Sequence, residues 1–275
     1  MRKILFVGWL ILWIAPDLPA QSIGNYLGDE EILMAQTKQV NQFLRRFNCE
    51  ENLDGQRIYP ENPLYRDPTL RSKYLSVLFD NENPAITDLA RQDFIHTVIN
   101  GNKPVYLDFH GGDWFAEVAT KFFYHGSEVP LTLFLQLQEE KVGSKWVITN
   151  IYFEPFSKLF FNSAPDQLKF LHPLSHELDF MNLIHVFKNK DEVELYTSRE
   201  YHPDFLTLFI YEVKNGNLSF KTVQQVKFHF FQVPGWYFEL VDFNRKSKNS
   251  GWLIANLLRI SPDEKELMLK FIYHE

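Results

Sequence analysis

Three short glycine turns cut residues 105–153 into four apolar runs of strand length, at 105–109, 115–124, 131–140 and 146–153. The turns are His110-Gly111-Gly112-Asp113, His125-Gly126-Ser127 and Val142-Gly143-Ser144. Connections this short join antiparallel neighbours, because a parallel crossover needs a dozen or more residues. The segment therefore reads as an antiparallel meander. A second series of runs follows at 220–231, 236–243 and 252–260.

Helical patterns precede each series. Asp29-Glu30-Glu31 places acid at a helix start, and Ile32, Leu33, Gln36, Val40, Phe43, Leu44 and Phe47 then share one face. Residues 48–70, with Pro60, Pro63 and Pro68, read as a long loop. A second helix starts at the Thr87 cap, runs to Ile99 and stops at Asn100-Gly101. The order then restarts. Ser175 caps a helix carrying Leu178, Met181, Ile184, His185 and Phe187, and a strand is expected at 192–197. A further helix runs from Pro203-Asp204 to Asn215-Gly216, and a charged helix at 262–273 follows the second meander.

Two local matches support an internal duplication. Val98-Ile99-Asn100-Gly101-Asn102 corresponds to Val213-Lys214-Asn215-Gly216-Asn217, and Trp146-Val-Ile-Thr-Asn-Ile151 to Trp252-Leu-Ile-Ala-Asn-Leu257. Strict alternation in the second match sets Trp, Ile and Asn on one face of the last strand of each half. The expected class is α+β, as two similar units, each with helices packed on a curved antiparallel sheet. Their expected bounds are 21–157 and 175–275, the second with a helical tail, joined by a linker at 158–174.

Helix, helix, then a long meander closing on W-φ-I-x-N-φ resembles the nuclear transport factor 2-like superfamily, in tandem copies. That cone-shaped fold also houses ketosteroid isomerases, scytalone dehydratases and polyketide cyclases. The resemblance implies a curled sheet whose concave, helix-covered face forms a pocket. It carries over no catalytic motif, and many members of the superfamily are inert binding or assembly modules.

The first twenty residues read as an export signal. Met1-Arg2-Lys3 is followed by an uncharged stretch at 4–14 and then by Ala15-Pro16-Asp17-Leu18-Pro19-Ala20. Eleven apolar residues fall short of the roughly 20 a helix needs to span a bilayer. Cleavage after Ala20 would leave an exported chain, periplasmic or extracellular, with no integral membrane segment. Cys49 is the one cysteine, so such a chain must hold together by packing. The full sequence has 26 Phe, 12 Tyr and 6 Trp, all but Phe6, Trp9 and Trp13 beyond residue 20, and these supply the material. A net charge of −7 without a dense Lys/Arg block argues against nucleic-acid partners.

Chemistry-bearing residues are sparse. G-x-S-x-G, phosphate-loop, dinucleotide and H-E-x-x-H motifs are all missing, and no cofactor or metal is implied. His172, His176, Glu177 and Asp179 read as an inter-repeat linker with a helix start rather than a cation site. Asp93 and His96, three residues apart on a helix, form the candidate acid–base pair, with a solvent-face pair as the plainer alternative. His110-Gly111-Gly112-Asp113 reads as a turn before it reads as an oxyanion loop. His229 lies between Phe228 and Phe230 and faces away from both, either into the cone with Lys227 or, in the preferred placement, on an exposed face. Trp114, Trp146, Asn150, His229, Trp236, Trp252 and Asn256 are the candidate pocket residues. The expected function is that of an exported, non-catalytic binding or interaction protein for a small apolar ligand or a protein. The alternative is a pocket enzyme of isomerase, dehydratase or cyclase type using Asp93 and His96.

Overall fold

Both predicted meanders join one six-stranded antiparallel sheet. Its strands are β1 (Trp114–Tyr124), β2 (Ser127–Glu140), β3 (Gly143–Tyr152), β4 (Leu218–Phe230), β5 (Trp236–Phe243) and β6 (Gly251–Arg259), in the order β3-β2-β1-β4-β5-β6. The computed structural model describes residues 39–100, 103–141, 143–160, 183–198, 200–246 and 249–275. The export signal at 1–20, the helix start at 29–31, the Ser175 cap and the group at 172–179 lie outside the described residues.

β1 and β4 meet at the centre, from Trp114 opposite Phe230 to Tyr124 opposite Leu218. The β1–β2 turn has His125 at φ 47° and Gly126 at φ 84°. Two positive φ values in a two-residue loop match the right-handed twist of the flanking strands. Alternation then gives the sheet two different faces. Trp114, Ala116, Val118, Val226, Phe228, Phe230, Trp236, Phe238 and Leu240 are buried on the inner face. Phe115, Phe134, Phe231 and Tyr237 are buried on the outer one.

Helices α1 (residues 39–47), α2 (Pro68–Val77) and α3 (Asp88–Asn100) cover the inner face. They contribute Val40, Phe43, Phe47, Leu75, Phe94 and Val98 to its core. The short helices α4 (Glu154–Ser157) and α5 (Leu183–Lys188) follow the first meander. Helix α6 (Phe205–Lys214) begins where expected, capped by Asp204, and packs Phe209 against Phe122, beside Leu131, Phe153 and Phe156. Helix α7 (Pro262–Tyr273) begins in a Ser261–Glu264 capping box and lies on the outer face through Met268, Leu269, Ile272 and Tyr273.

The inner face is concave. Trp146 on β3 and Trp252 on β6 both contact the ring of Phe228 on β4, with centroids 6.2 and 4.9 Å away. On a flat sheet, three strand spacings would set β3 about 14 Å from β4. The space inside the curve is filled by aromatic side chains.

Several local expectations are corrected. Helix α2 begins inside the expected loop; its buried residues are Arg71, Tyr74 and Leu75, so an arginine interrupts the apolar pattern. Residues 105–109 form no strand and join no ladder. The Asn48 amide donates to Leu107 O and accepts from Leu107 N, both at 2.8 Å, while Arg71 donates to Val105 O. Side chains thus satisfy the backbone that a neighbouring strand would have paired. Residues 110–113 are consequently a bend into β1, not a hairpin. The strand expected at 192–197 is a 3-10 helix, Lys190–Tyr196, capped by the Asn189 side chain.

The faces of the W-φ-I-x-N-φ strands are also corrected. On β3 the pairing steps from Ile148 opposite Leu135 to Asn150 opposite Phe134, leaving Thr149 as an extra residue. On β6 it steps from Ile254 opposite Leu240 to Asn256 opposite Glu239, leaving Ala255 as the extra. Each is a β-bulge, and an added residue reverses alternation. The tryptophans therefore point inward, and Asn150 and Asn256 outward.

Candidate functional site

Polar residues gather on the outer face. The register sets Phe115, His229, Glu239 and Asn256 side by side across β1, β4, β5 and β6. Glu117 and Tyr237 are one diagonal step from His229 on the two neighbouring strands, within reach of long side chains. Both reach it. His229 Nε2 lies 2.8 Å from Glu117 Oε2, and Nδ1 lies 2.8 Å from the Tyr237 hydroxyl. The imidazole stacks on Phe115, with centroids 4.9 Å apart, and is 1% exposed. The preference for an exposed His229 is thereby corrected: α7 and its aromatic neighbours cover that face.

Burial alone would raise the Glu117 carboxyl; the His229 hydrogen bond, then the fields of His229, Lys227 and His274, hold it below the usual carboxylate range. Burial, reinforced by Glu239 and Glu117, pushes the Tyr237 hydroxyl far above the ordinary tyrosine value. With Tyr237 protonated and Glu117 ionised, donors run one way along the chain for the neutral imidazole carrying its proton on Nε2. The tyrosine O–H then donates to Nδ1, and Nε2–H donates to the carboxylate.

This chain floors a cavity of about 630 Å³ between the sheet and α7. Lys227, Glu239 and Asn256 complete the polar floor, and the Lys227 ammonium is 3.7 Å from Glu239 Oε2. The cavity's apolar lining comes from Leu258 and Ile260 at the end of β6 and from Leu267, Met268, Phe271 and Ile272 on α7. Leu258, Leu267 and Phe271 are exposed at its rim, Phe271 by 78%. A second cavity, of about 610 Å³, lies between α1 and the β5–β6 hairpin among Gln39, Gln42, Arg46, Asp242 and Arg245. The outer-face cavity is the stronger candidate because it joins an apolar wall to buried titratable groups.

The other candidates are dispersed. Asp93 does not orient His96; its carboxylate meets Arg259 Nη1 at 2.8 Å, and His96 is exposed. Trp114, Trp236 and Trp252 are at most 7% exposed within the inner core, and Trp146 packs against it. The Trp114 and Trp252 indoles donate to Phe109 O and Gln39 Oε1. Asn150 is outward-facing, but its amide donates to Glu275 Oε1, 3.3 Å away on the far side of α7. Only His229 and Asn256 share the outer cavity. His110 Nδ1 lies 2.9 Å from Ser144 Oγ, both exposed, and among the described residues no carboxylate orients the ring.

Sequence reasoning did not single out Glu117 or Tyr237. Glu117 comes to His229 through the β1–β4 register, across 112 residues, and Tyr237 through the adjacent β4–β5 pairing. Among the described residues no cluster of His, Cys, Asp and Glu suits a metal ion, and no helix is long and apolar enough to cross a membrane. No protein family, curated protein or solved structure matches the chain.

Proposed function

We propose that this is an exported, non-catalytic binding protein that holds a small, largely apolar ligand between the outer sheet face and α7. The observation that carries this reading is the cavity itself. Its volume falls within the several hundred Å³ of small-molecule sites, and its apolar wall ends in exposed Leu258, Leu267 and Phe271 beside a fixed polar floor. Both nitrogens of His229 are engaged within the protein, which suits a fixed floor better than a base awaiting a substrate proton.

The reading retains the resemblance to nuclear transport factor 2-like proteins in tandem. Each half supplies a helix followed by a three-stranded meander, and matched bulges at Thr149 and Ala255 support a duplication. The two copies would share one sheet, and the ligand would sit on its outer side. The test is fluorescence titration with the neutral apolar dye N-phenyl-1-naphthylamine. Saturable one-to-one binding that Met268→Trp abolishes by filling the cavity supports the reading; absence of saturable binding to the wild type refutes it.

The 2.8 Å Glu117–His229 contact favours a second reading, a proton-transfer enzyme that uses this pair in place of Asp93 and His96. It requires turnover of a carbonyl substrate that Glu117→Gln reduces at least a hundredfold. A turnover unaffected by that change would end it.

A further inference from the structure

The charges lining the outer cavity are unequal once their existing commitments are counted. Glu264 is held in the α7 capping box through the Ser261 backbone N–H, and Arg259 is paired with Asp93. The His274 ring stacks on Tyr152, with centroids 3.8 Å apart. The floor that remains is Glu239 and Lys227, with Glu117, one of whose carboxylate oxygens is taken by His229. Glu117 and Lys227 are directly opposed on β1 and β4, and Lys227 is also the ion-pair partner of Glu239. One ammonium thus stands between two carboxylates.

A carboxylate ligand approaching Lys227 would meet both glutamates, whereas an ammonium would meet two opposite charges and one like charge. The carbonyl end of α7 lies on the same side, at Phe271 and Ile272, and its partial negative charge acts in the same direction. The apolar wall runs from Ile272 and Met268 outward to Leu267, Phe271 and Leu258, giving a hydrocarbon body a path from the floor to the rim.

We infer that the ligand is an amphiphile with a cationic amine head, held at the floor by Glu117 and Glu239, and an apolar tail laid along the inner side of α7. This rests on the binding reading above and specifies its ligand class. An alkyl ammonium remains protonated at neutral pH, as a lysine side chain does, so the head keeps its charge there.

The experiment displaces bound N-phenyl-1-naphthylamine with decylamine, decanol and decanoate at pH 7. Decylamine is expected to displace the dye at a concentration at least tenfold below that of decanoate, with decanol between them. Glu239→Gln is expected to narrow the amine-over-acid ratio at least threefold, and added salt to narrow it in the wild type. A decanoate affinity equal to or above that of decylamine overturns the ligand class while the cavity reading survives. Failure of the dye itself to bind overturns both.

Discussion

Thr149 and Ala255 occupy the same place in the two halves of the sheet: each is the extra residue of a β-bulge three positions after a tryptophan and one before an asparagine. The bulges turn Trp146 and Trp252 into the core and leave Asn150 and Asn256 beneath α7. Deleting Ala255 places Asn256 directly after Ile254, so plain alternation keeps it opposite Glu239 on the outer face, but the local bend that the bulge gives the concave sheet is lost. The deletion is expected to destabilise the protein by at least about 2 kcal/mol in urea unfolding, whereas Ala255→Ser stays within about 1 kcal/mol.

The Tyr237–His229–Glu117 chain predicts a directional pH effect. The folded pKa of Glu117 is depressed, so its stabilisation is present above the unfolded glutamate value of about 4.3 and lost as pH falls through the folded value. Glu117→Gln is expected to cost about 1.5–3 kcal/mol at pH 7, with a difference from wild type that shrinks on acidification. Tyr237→Phe leaves a buried imidazole nitrogen without its hydrogen-bond partner and is expected to cost about 1–3 kcal/mol. Urea unfolding at pH 7 and below pH 4 measures both.

Arg71 is a second buried polar centre, with a structural role. Its guanidinium donates to Phe47 O at 2.8 Å, to Val98 O at 3.4 Å and to Val105 O, tying the ends of α1 and α3 to the segment after α3. Burial lowers its pKa to about 10, so it remains charged at neutral pH, and it lies over the ring of Tyr106. Arg71→Met leaves the Phe47 and Val105 carbonyls without this donor, while Val98 O keeps its bond from Val105 N–H, and is expected to lower stability by about 3 kcal/mol or more, with Arg71→Lys intermediate. Denaturant midpoints test the order.

On α3, His96→Ala is expected to change stability by no more than about 0.5 kcal/mol, because the ring is exposed. Asp93→Ala removes a surface pair with Arg259 worth about 0–1 kcal/mol. Neither is expected to alter dye binding. A large loss of dye binding in His96→Ala would place the site elsewhere.

What the sequence made legible follows from the range of each interaction. Local turn chemistry exposes the hairpins: Gly126 and the Asp204 cap mark the turn and helix they form. Alternation places Phe228 and Phe230 together, and His229 opposite them. It misplaces Asn150 and Asn256, because one bulge residue reverses a face without altering the pattern around it. Residues 105–109 have strand composition, yet Asn48 and Arg71 satisfy their backbone from distant segments. Asp67-Pro68 was the available signal for α2, as a cap followed by proline in the first turn, but buried Arg71 disguised the amphipathic face. Pairing of the two meanders along β1 and β4 carries no local trace, and that pairing builds the site.

Met268 offers the most direct test of the central claim, since its side chain lines the outer cavity. In the protein labelled with ¹³C-methyl methionine, its resonance can be assigned by comparison with Met268→Leu and followed as N-phenyl-1-naphthylamine is added. A ligand between the sheet and α7 predicts a Met268 shift that saturates at one equivalent, in step with the fluorescence. Saturable dye binding that leaves the Met268 methyl unmoved would contradict the account.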